Sequence, residues 1–291
     1  MSSKTIDLHI DFCWQCHRAT KALDLTEHLP DVQVDFQRMK TGGLDKFVAP
    51  VYLSDKCQSD YGPTLSWNAV KNQLAIIQGY GSLIPALEGG RLLQESKGCI
   101  DLLADAGCVY ITLAHNKTTS WADSATDNLV HNGLTAVGKR ITKWIEDAGI
   151  LIDVSHAADA TIFDVLALAA RPVIASHSGV LSLVNHPRNL SDALIKMIAA
   201  TGGVIGIPYA RKFVKDRDGI VLAIDHIAQM LGNTRHIAIG SDLDGAETVV
   251  TDAAEWSQVL DEPLANLGYT PDQVDGIKGE NFSRLLEAQH G

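Results

Sequence analysis

The sequence has no long run of uncharged apolar residues, no Pro- or Ser-rich linker, no block of like charge and no low-complexity tract. A membrane-spanning helix needs roughly 20 consecutive apolar residues, so the first absence excludes one. The others leave nothing to divide the chain, and a single domain over residues 1–291 is expected. Basic side chains are in deficit: 24 Lys and Arg stand against 35 Asp and Glu, for a net charge of -11. An acidic surface repels phosphate backbones and anionic lipid, which argues against nucleic-acid and membrane partners. The opening MSSKTIDLHID carries no apolar stretch after Lys4, so no export signal is read. Cysteine is scarce and odd in number, at 13, 16, 57, 99 and 108. Without an export signal, that count points to reduced thiols in a cytoplasmic protein.

What the chain does have is a repeated pattern. Eight short apolar runs occur: TIDLHID, FVAPVYLS, SLIPALEGG, CVYITLAHN, ILIDVSH, PVIASHS, GVIGIPY and HIAIGSDLDG. Nearly continuous apolar character marks strands buried on both faces, as parallel strands are. Between them lie amphipathic stretches such as NAVKNQLAIIQGY, GLTAVGKRITKWIEDAG and SDALIKMIAATGG, the last two closing on glycine as helices do. ATIFDVLALAA is apolar on more sides and predicts a buried helix. Eight strand–helix alternations predict an α/β fold of the (β/α)8 TIM-barrel type, with a doubly wound sheet as the alternative.

The polar residues fall where such a barrel builds its active site. His9 and Asp11 end the first run, Glu88 the third, His115 the fourth, His156 the fifth, His177 the sixth and Asp242 the eighth. One strand-end histidine is more often a satisfied core residue than a ligand. Six of eight runs ending this way is not a packing pattern, and the C-terminal face of a barrel would bring them together. Four imidazoles and three carboxylates suit zinc, and also manganese or iron. They are too many for one tetrahedral ion. A carboxylate can bridge two ions about 3.5–4 Å apart, and a water they share ionises near neutral pH. Glu88 is the natural bridge, and Asp242 can take the proton from that water.

These residues lie in stretches that, in order, are DLHID, TGGLDKF, LEGG, YITLAHNKTTSWADS, GILIDVSHAADAT, PVIASHSGVLSLVNHPRN, IAIGSDLDG and GIKGENFSRLLE. The set resembles the membrane (renal-type) dipeptidase family of the amidohydrolase superfamily, from about residue 5 to 287. The resemblance implies a two-zinc hydrolase that cleaves the peptide bond of dipeptides through a metal-bridged hydroxide. It implies that His9, Asp11 and Glu88 hold one ion, and that Glu88, His156 and His177 hold the other. His115 would stabilise the oxyanion, Arg188 would clamp the substrate's terminal carboxylate, Asp242 would shuttle the proton, and Tyr209 would lie near the substrate. Arg has the planar fork that such a carboxylate needs, although an Arg in NHPRN can also be a solvated loop charge.

Departures from the family pattern are Ile10 between the metal His and Asp, Phe12-Cys13 after them, and Arg91 after Glu-Gly-Gly. They leave the ligands intact and bear on the pocket mouth. Other amidohydrolase substrates, such as an N-acyl amino acid, a lactam or an ester, therefore stay open. So does a non-catalytic or redox binding protein on the same scaffold, and a homo-oligomer as the assembly.

Cys13-Trp14-Gln15-Cys16-His17 has haem-attachment spacing, but haem attachment belongs to exported proteins. A zinc half-site lacks a second pair at finger spacing, because Cys57, Cys99 and Cys108 are scattered. The expectation is that the two thiols and Trp14 line the rim of the active site, with Cys13 near enough to His9 and Asp11 to touch substrate. Of the two further acids near these motifs, Asp244 is expected to bond backbone and Asp153 to face helices or a structural partner.

Overall fold

A computed structural model describes residues 5–290; the first four residues, on which the reading of an unexported N-terminus partly rests, lie outside them. All eight apolar runs contain a strand. These are β1 (Ile6–Asp7), β2 (Lys46–Val51), β3 (Leu83–Glu88), β4 (Tyr110–Thr112), β5 (Leu151–Asp153), β6 (Val173–Ile174), β7 (Ile205–Ile207) and β8 (Ile237–Ile239). The first six form one parallel sheet in sequence order, and β7 and β8 form a parallel pair. Between β6 and β7, Ala175 N–H donates to Val204 O at 3.0 Å and Gly206 N–H to Ala175 O at 2.7 Å. Between β8 and β1, Leu8 N–H donates to Ile239 O at 2.8 Å and Asp242 N–H to His9 O at 3.0 Å.

The connections are right for parallel neighbours, which need a crossover rather than a hairpin. Helices Ala136–Asp147 and Asp192–Ala200 start where Thr135 and Ser191 accept hydrogen bonds from the backbone N–H three residues on. Just past their C-caps stand Gly149 and Gly202, at φ of 80° and 86°, a conformation that suits glycine. Helix Asp55–Gln78 is longer than the amphipathic stretch alone predicts and breaks at Gly62, next to Pro63.

Helix Asp159–Leu168 corrects the expectation of a buried helix. Thr161, Ile162 and Val165 are buried, but Phe163 and Leu168 are 45% and 48% exposed. The helix buries one face in the core, and its outer apolar side chains remain in solvent.

The strands are buried almost throughout, as their unbroken apolar character requires. A small inner cluster takes Leu8, Val48, Ala86, Tyr110, Ile174 and Ala238 from six strand segments, with Phe282 and Leu285 of the helix Asn281–His290 packed against them. Gly206 and Gly240 let their strands close on the carbonyl of Ser176, where an added Cβ would collide. That contact fixes the strand end that presents His177. Among the described residues no helix is long and apolar enough to cross a membrane.

Candidate active site

The last residue of two strands is an aspartate that ties neighbouring strand ends together. Asp7 accepts from His9 N (2.9 Å), Ser241 N (3.0 Å) and the indole Nε1 of Trp256 (2.6 Å). Asp153 accepts from Ser155 N (3.0 Å), Ser176 N (2.8 Å), Ser176 Oγ (2.7 Å) and Thr112 Oγ1 (2.6 Å). Of the two readings of Asp153, the structural partner is the one observed. Each carboxylate holds the turn that follows its strand, so the next side chains project inward from fixed positions. His156 and Asp242 take left-handed backbone conformations there, with φ of 68° and 63°. Strain of that kind in non-glycine residues gathers at functional sites.

Projected this way, Asp11, Glu88, His115, His156, His177, Arg188 and Asp242 line one cavity of about 190 Å³. His9 lies beneath it, fully buried. Glu88 is the hub. Its Oε1 stands 3.1 Å from His156 Nε2, 3.6 Å from His9 Nε2, 3.7 Å from His177 Nε2 and 4.0 Å from His115 Nε2. His9 Nε2 is also 3.5 Å from Asp11 Oδ2. Three groupings could each take an ion: His9–Glu88–His177, Glu88–His115–His156 and His9–Asp11–Asp242. Bonds of 2.0–2.2 Å put the donor atoms of one tetrahedral zinc roughly 3.3 Å apart, which is the spacing found around Glu88.

The hydrogen-bond partners set the histidines up as ligands. Tyr110 donates its only hydroxyl hydrogen to Leu8 O at 2.9 Å, so it must accept from His9 Nδ1 at 2.8 Å. His9 Nε2 is thereby the nitrogen turned toward Glu88 and Asp11, buried and without a hydrogen-bond partner. Ser176 Oγ likewise donates to Asp153 and accepts from His177 Nδ1 at 2.9 Å, which leaves His177 Nε2 as the accepting nitrogen. Such partners fix the tautomer of metal-bound imidazoles. Gly245 completes the cradle: a Cβ there would collide with Asp11 Oδ2 and come within 2.6 Å of Asp242 Oδ1. The residues fit a divalent metal.

The electrostatics agree. Burial pushes the Glu88 and Asp242 carboxyls upward, and the neighbouring Asp11 adds to both shifts. Burial works against a charge on His9, but Glu88 and Asp11 override it and raise the imidazolium to about 10. Burial and then Arg188 depress His115 to about 3 and lower His156 well below its ordinary value. Burial and then His9 do the same to His177. These three imidazoles stay neutral.

Arg188 is buried beside the histidines, with Nη2 2.8 Å from His177 Nε2 and a buried Nε that has no partner. Tyr209 is not brought to the cavity. Its ring is fully buried and its hydroxyl donates to Trp256 O at 2.7 Å. Asp244 does not line the cavity either: its Oδ1 accepts the Gln33 N–H at 2.6 Å, as expected of a backbone-bonding acid. Trp14 lines the cavity as expected, whereas sequence reasoning missed Tyr52, Asn116, Lys212 and Phe213, which line it too. Tyr52 follows the end of β2, a position that the strand-end pattern pointed to, and its hydroxyl lies 3.3 Å from His115 Nδ1.

The thiols depart from expectation. The C-x-x-C-H segment forms the helix Phe12–Arg18, and that helix turns Trp14 into the cavity. Cys13 is fully buried in the core, away from any substrate, and burial raises both thiols, Cys16 to about 12. All five cysteines are free.

Known proteins share this architecture. The probable dipeptidase PvdM of Pseudomonas aeruginosa has 18% sequence identity and a TM-score of 0.84, over 99% of this chain and 96% of its own. A metallo peptidase of Rhodobacter sphaeroides, solved with a phosphinate mimic of the dipeptide L-Ala-D-Ala, has 20% identity and a TM-score of 0.82 over 98% of both chains. At such identities the likeness is one of fold. In sequence, an uncharacterized dipeptidase of Schizosaccharomyces pombe is 28% identical over 249 residues, 82% of this chain and 59% of its own length. The chain spans little more than half the length of the curated relatives it matches. The family model described as membrane dipeptidase (peptidase family M19) matches residues 76–290, well over half of the chain, and the chain belongs to that family.

Proposed function

We propose that the chain is a dipeptidase with two divalent cations, zinc foremost, working at the end of a closed (β/α)8 barrel that forms one domain over residues 1–291. The observation that carries this reading is Glu88 at the centre of four imidazoles, with the buried Arg188 guanidinium 2.8 Å from one of them. A cation set and a carboxylate anchor side by side match a substrate whose scissile carbonyl lies one residue from a free carboxylate. The family and the dipeptide mimic held by the Rhodobacter sphaeroides relative support the same substrate class. Five free thiols fit a reducing compartment, and a cytoplasmic setting is part of the proposal.

His9, Asp11 and Glu88 would hold one ion, and Glu88, His156 and His177 the other. Cations bound there would polarise the scissile carbonyl and make water acidic near neutral pH. The rest falls to this chain's own groups. Arg188 binds the terminal carboxylate through its planar fork. With Tyr52 as the donor across its 3.3 Å contact to His115 Nδ1, the neutral His115 would present Nε2–H toward the cavity as a donor to the developing oxyanion. Asp242 collects the proton of the attacking water and returns it to the departing amine, a task that suits a carboxyl raised by burial. Tyr209, with its hydroxyl on Trp256, takes no part.

The test is metal-reconstituted protein assayed on dipeptides beside N-acetylated dipeptides, lactams and esters, with elemental analysis of the same sample. Two ions per chain and turnover confined to free dipeptides are expected. Equal turnover of N-acetylated substrates moves the activity to N-acyl amino acids.

A further inference from the structure

We propose that Lys212 selects dipeptides whose C-terminal residue carries a side-chain carboxylate. The proposal rests on the dipeptidase reading and names its preferred substrates. Lys212 belongs to the short helix Arg211–Val214, which follows β7, and lines the same cavity as the metal-binding set. Its neighbour Phe213 places it. Lys212 Nζ lies 4.7 Å from the centre of the Phe213 ring, and the guanidinium carbon of Arg188 lies 5.4 Å from that centre. The two cations share one aromatic side chain and line one cavity, which puts Lys212 within the space that a substrate anchored by Arg188 enters.

Their settings differ. Arg188 is buried and rigidly held, as a group that receives the obligatory α-carboxylate must be. Lys212 is exposed and, among the described residues, has neither an ion-pair partner nor a hydrogen-bond partner, whereas the adjacent Arg211 pairs with Glu247 at 2.8 Å. Of the charged groups around the cavity, Asp11, Glu88 and Asp242 face the cation set and Arg188 faces the terminal carboxylate. Trp14, Tyr52 and Asn116, which also line the cavity, carry no charge. Lys212 is left as the exposed cation of the cavity without a hydrogen-bonded or ion-paired partner among the described residues, on a chain whose net charge of -11 otherwise repels anions. An acidic side chain on the α-carbon that bears the anchored carboxylate supplies its counterpart.

The experiment measures kcat/KM for Ala-Asp and Ala-Asn, equal in shape and different in charge, in either configuration at the second residue, for the metal-loaded protein and Lys212→Gln. Affinities of non-hydrolysable phosphinate mimics of the same two dipeptides are measured by calorimetry. The native protein should favour Ala-Asp over Ala-Asn by about three- to tenfold at low ionic strength, the size of an exposed to half-desolvated ion pair. The ratio should fall to about one in Lys212→Gln, and should shrink in 0.5 M salt, which screens an exposed charge. Turnover of both dipeptides with a ratio near one in the native protein overturns the proposal and leaves the dipeptidase reading intact. An equal loss on both in Lys212→Gln also overturns it, by assigning Lys212 to the α-carboxylate. If neither dipeptide is cleaved but the Asp mimic binds more tightly through Lys212, the dipeptidase reading fails and the anionic subsite stands. If neither mimic binds, both fail.

Discussion

The Tyr110 hydroxyl accepts a hydrogen from His9 Nδ1 at 2.8 Å while giving its own to Leu8 O. One phenol thus decides which nitrogen of His9 faces Glu88 and Asp11. Tyr110→Phe removes that decision and leaves a buried N–H without a partner. The expected result is cation affinity lower by about 10–100-fold, the usual cost of losing such a partner. Competition with a chromogenic chelator measures it. Destabilisation of the metal-free protein by about 1–3 kcal/mol should accompany it. Unchanged cation affinity in a folded variant would assign Tyr110 a packing role only.

Asp242→Asn keeps the side chain's shape and an acceptor oxygen but cannot carry a proton. Cation content should stay at the native level while kcat falls at least the 10²–10⁴-fold typical of a lost general acid–base. Loss of an ion instead would make Asp242 chiefly a ligand, in line with its grouping with His9 and Asp11. Near-normal turnover would move the proton shuttle elsewhere. Asp244 would be the next residue to test, although its Oδ1 is committed to Gln33.

The strands and their polar ends were legible because both follow from short-range rules. An unbroken apolar run such as CVYITLA has to be buried on both faces, and a His or Asp just past it has to project from the strand end. What was illegible depends on side-chain direction. Tyr209 and Tyr52 follow strands in the same way, but Trp256 draws the Tyr209 hydroxyl into the core while Tyr52 meets His115. Cys13 and Trp14 are adjacent on one helix, and a helical turn of about 100° per residue puts one in the core and the other in the cavity. Lys212 carried no sequence signal, because a lysine in a loop between elements reads as a solvated charge.

The thiols give a prediction with a definite sign. Burial raises Cys16 to about 12, so at pH 8 its reactive thiolate is scarcer than that of an ordinary thiol by roughly a thousandfold. Iodoacetamide at pH 8 should leave Cys13 and Cys16 unmodified in the native protein and label them after denaturation, as peptide mass mapping would show. The labelling rate should rise tenfold per pH unit until the pH approaches the raised value. Rapid native labelling of Cys16 at neutral pH would revive a redox role for the C-x-x-C pair. Cys13→Ser with Cys16→Ser should retain the native cation content, since neither thiol is among the residues gathered around Glu88.

Arg188 gives the sharpest test of substrate orientation. Burial lowers its guanidinium to about 10, and Asp242 and Glu88 oppose that shift, so it remains charged at neutral pH. A buried cation whose Nε lacks a partner is poised for an anion. Arg188→Met removes the charge and keeps most of the volume. Loss of a charge-assisted bond of about 1.5–3 kcal/mol should lower kcat/KM for free dipeptides about ten- to a hundredfold. C-terminally amidated dipeptides never form that bond, so they should start lower and lose little more. Arg188→Lys separates charge from geometry. It should recover part of the loss, because the ammonium supplies a point charge but not the fork that grips two oxygens. An equal loss on free and amidated substrates would show that Arg188 acts through its 2.8 Å contact with His177, and cation content would then fall with it.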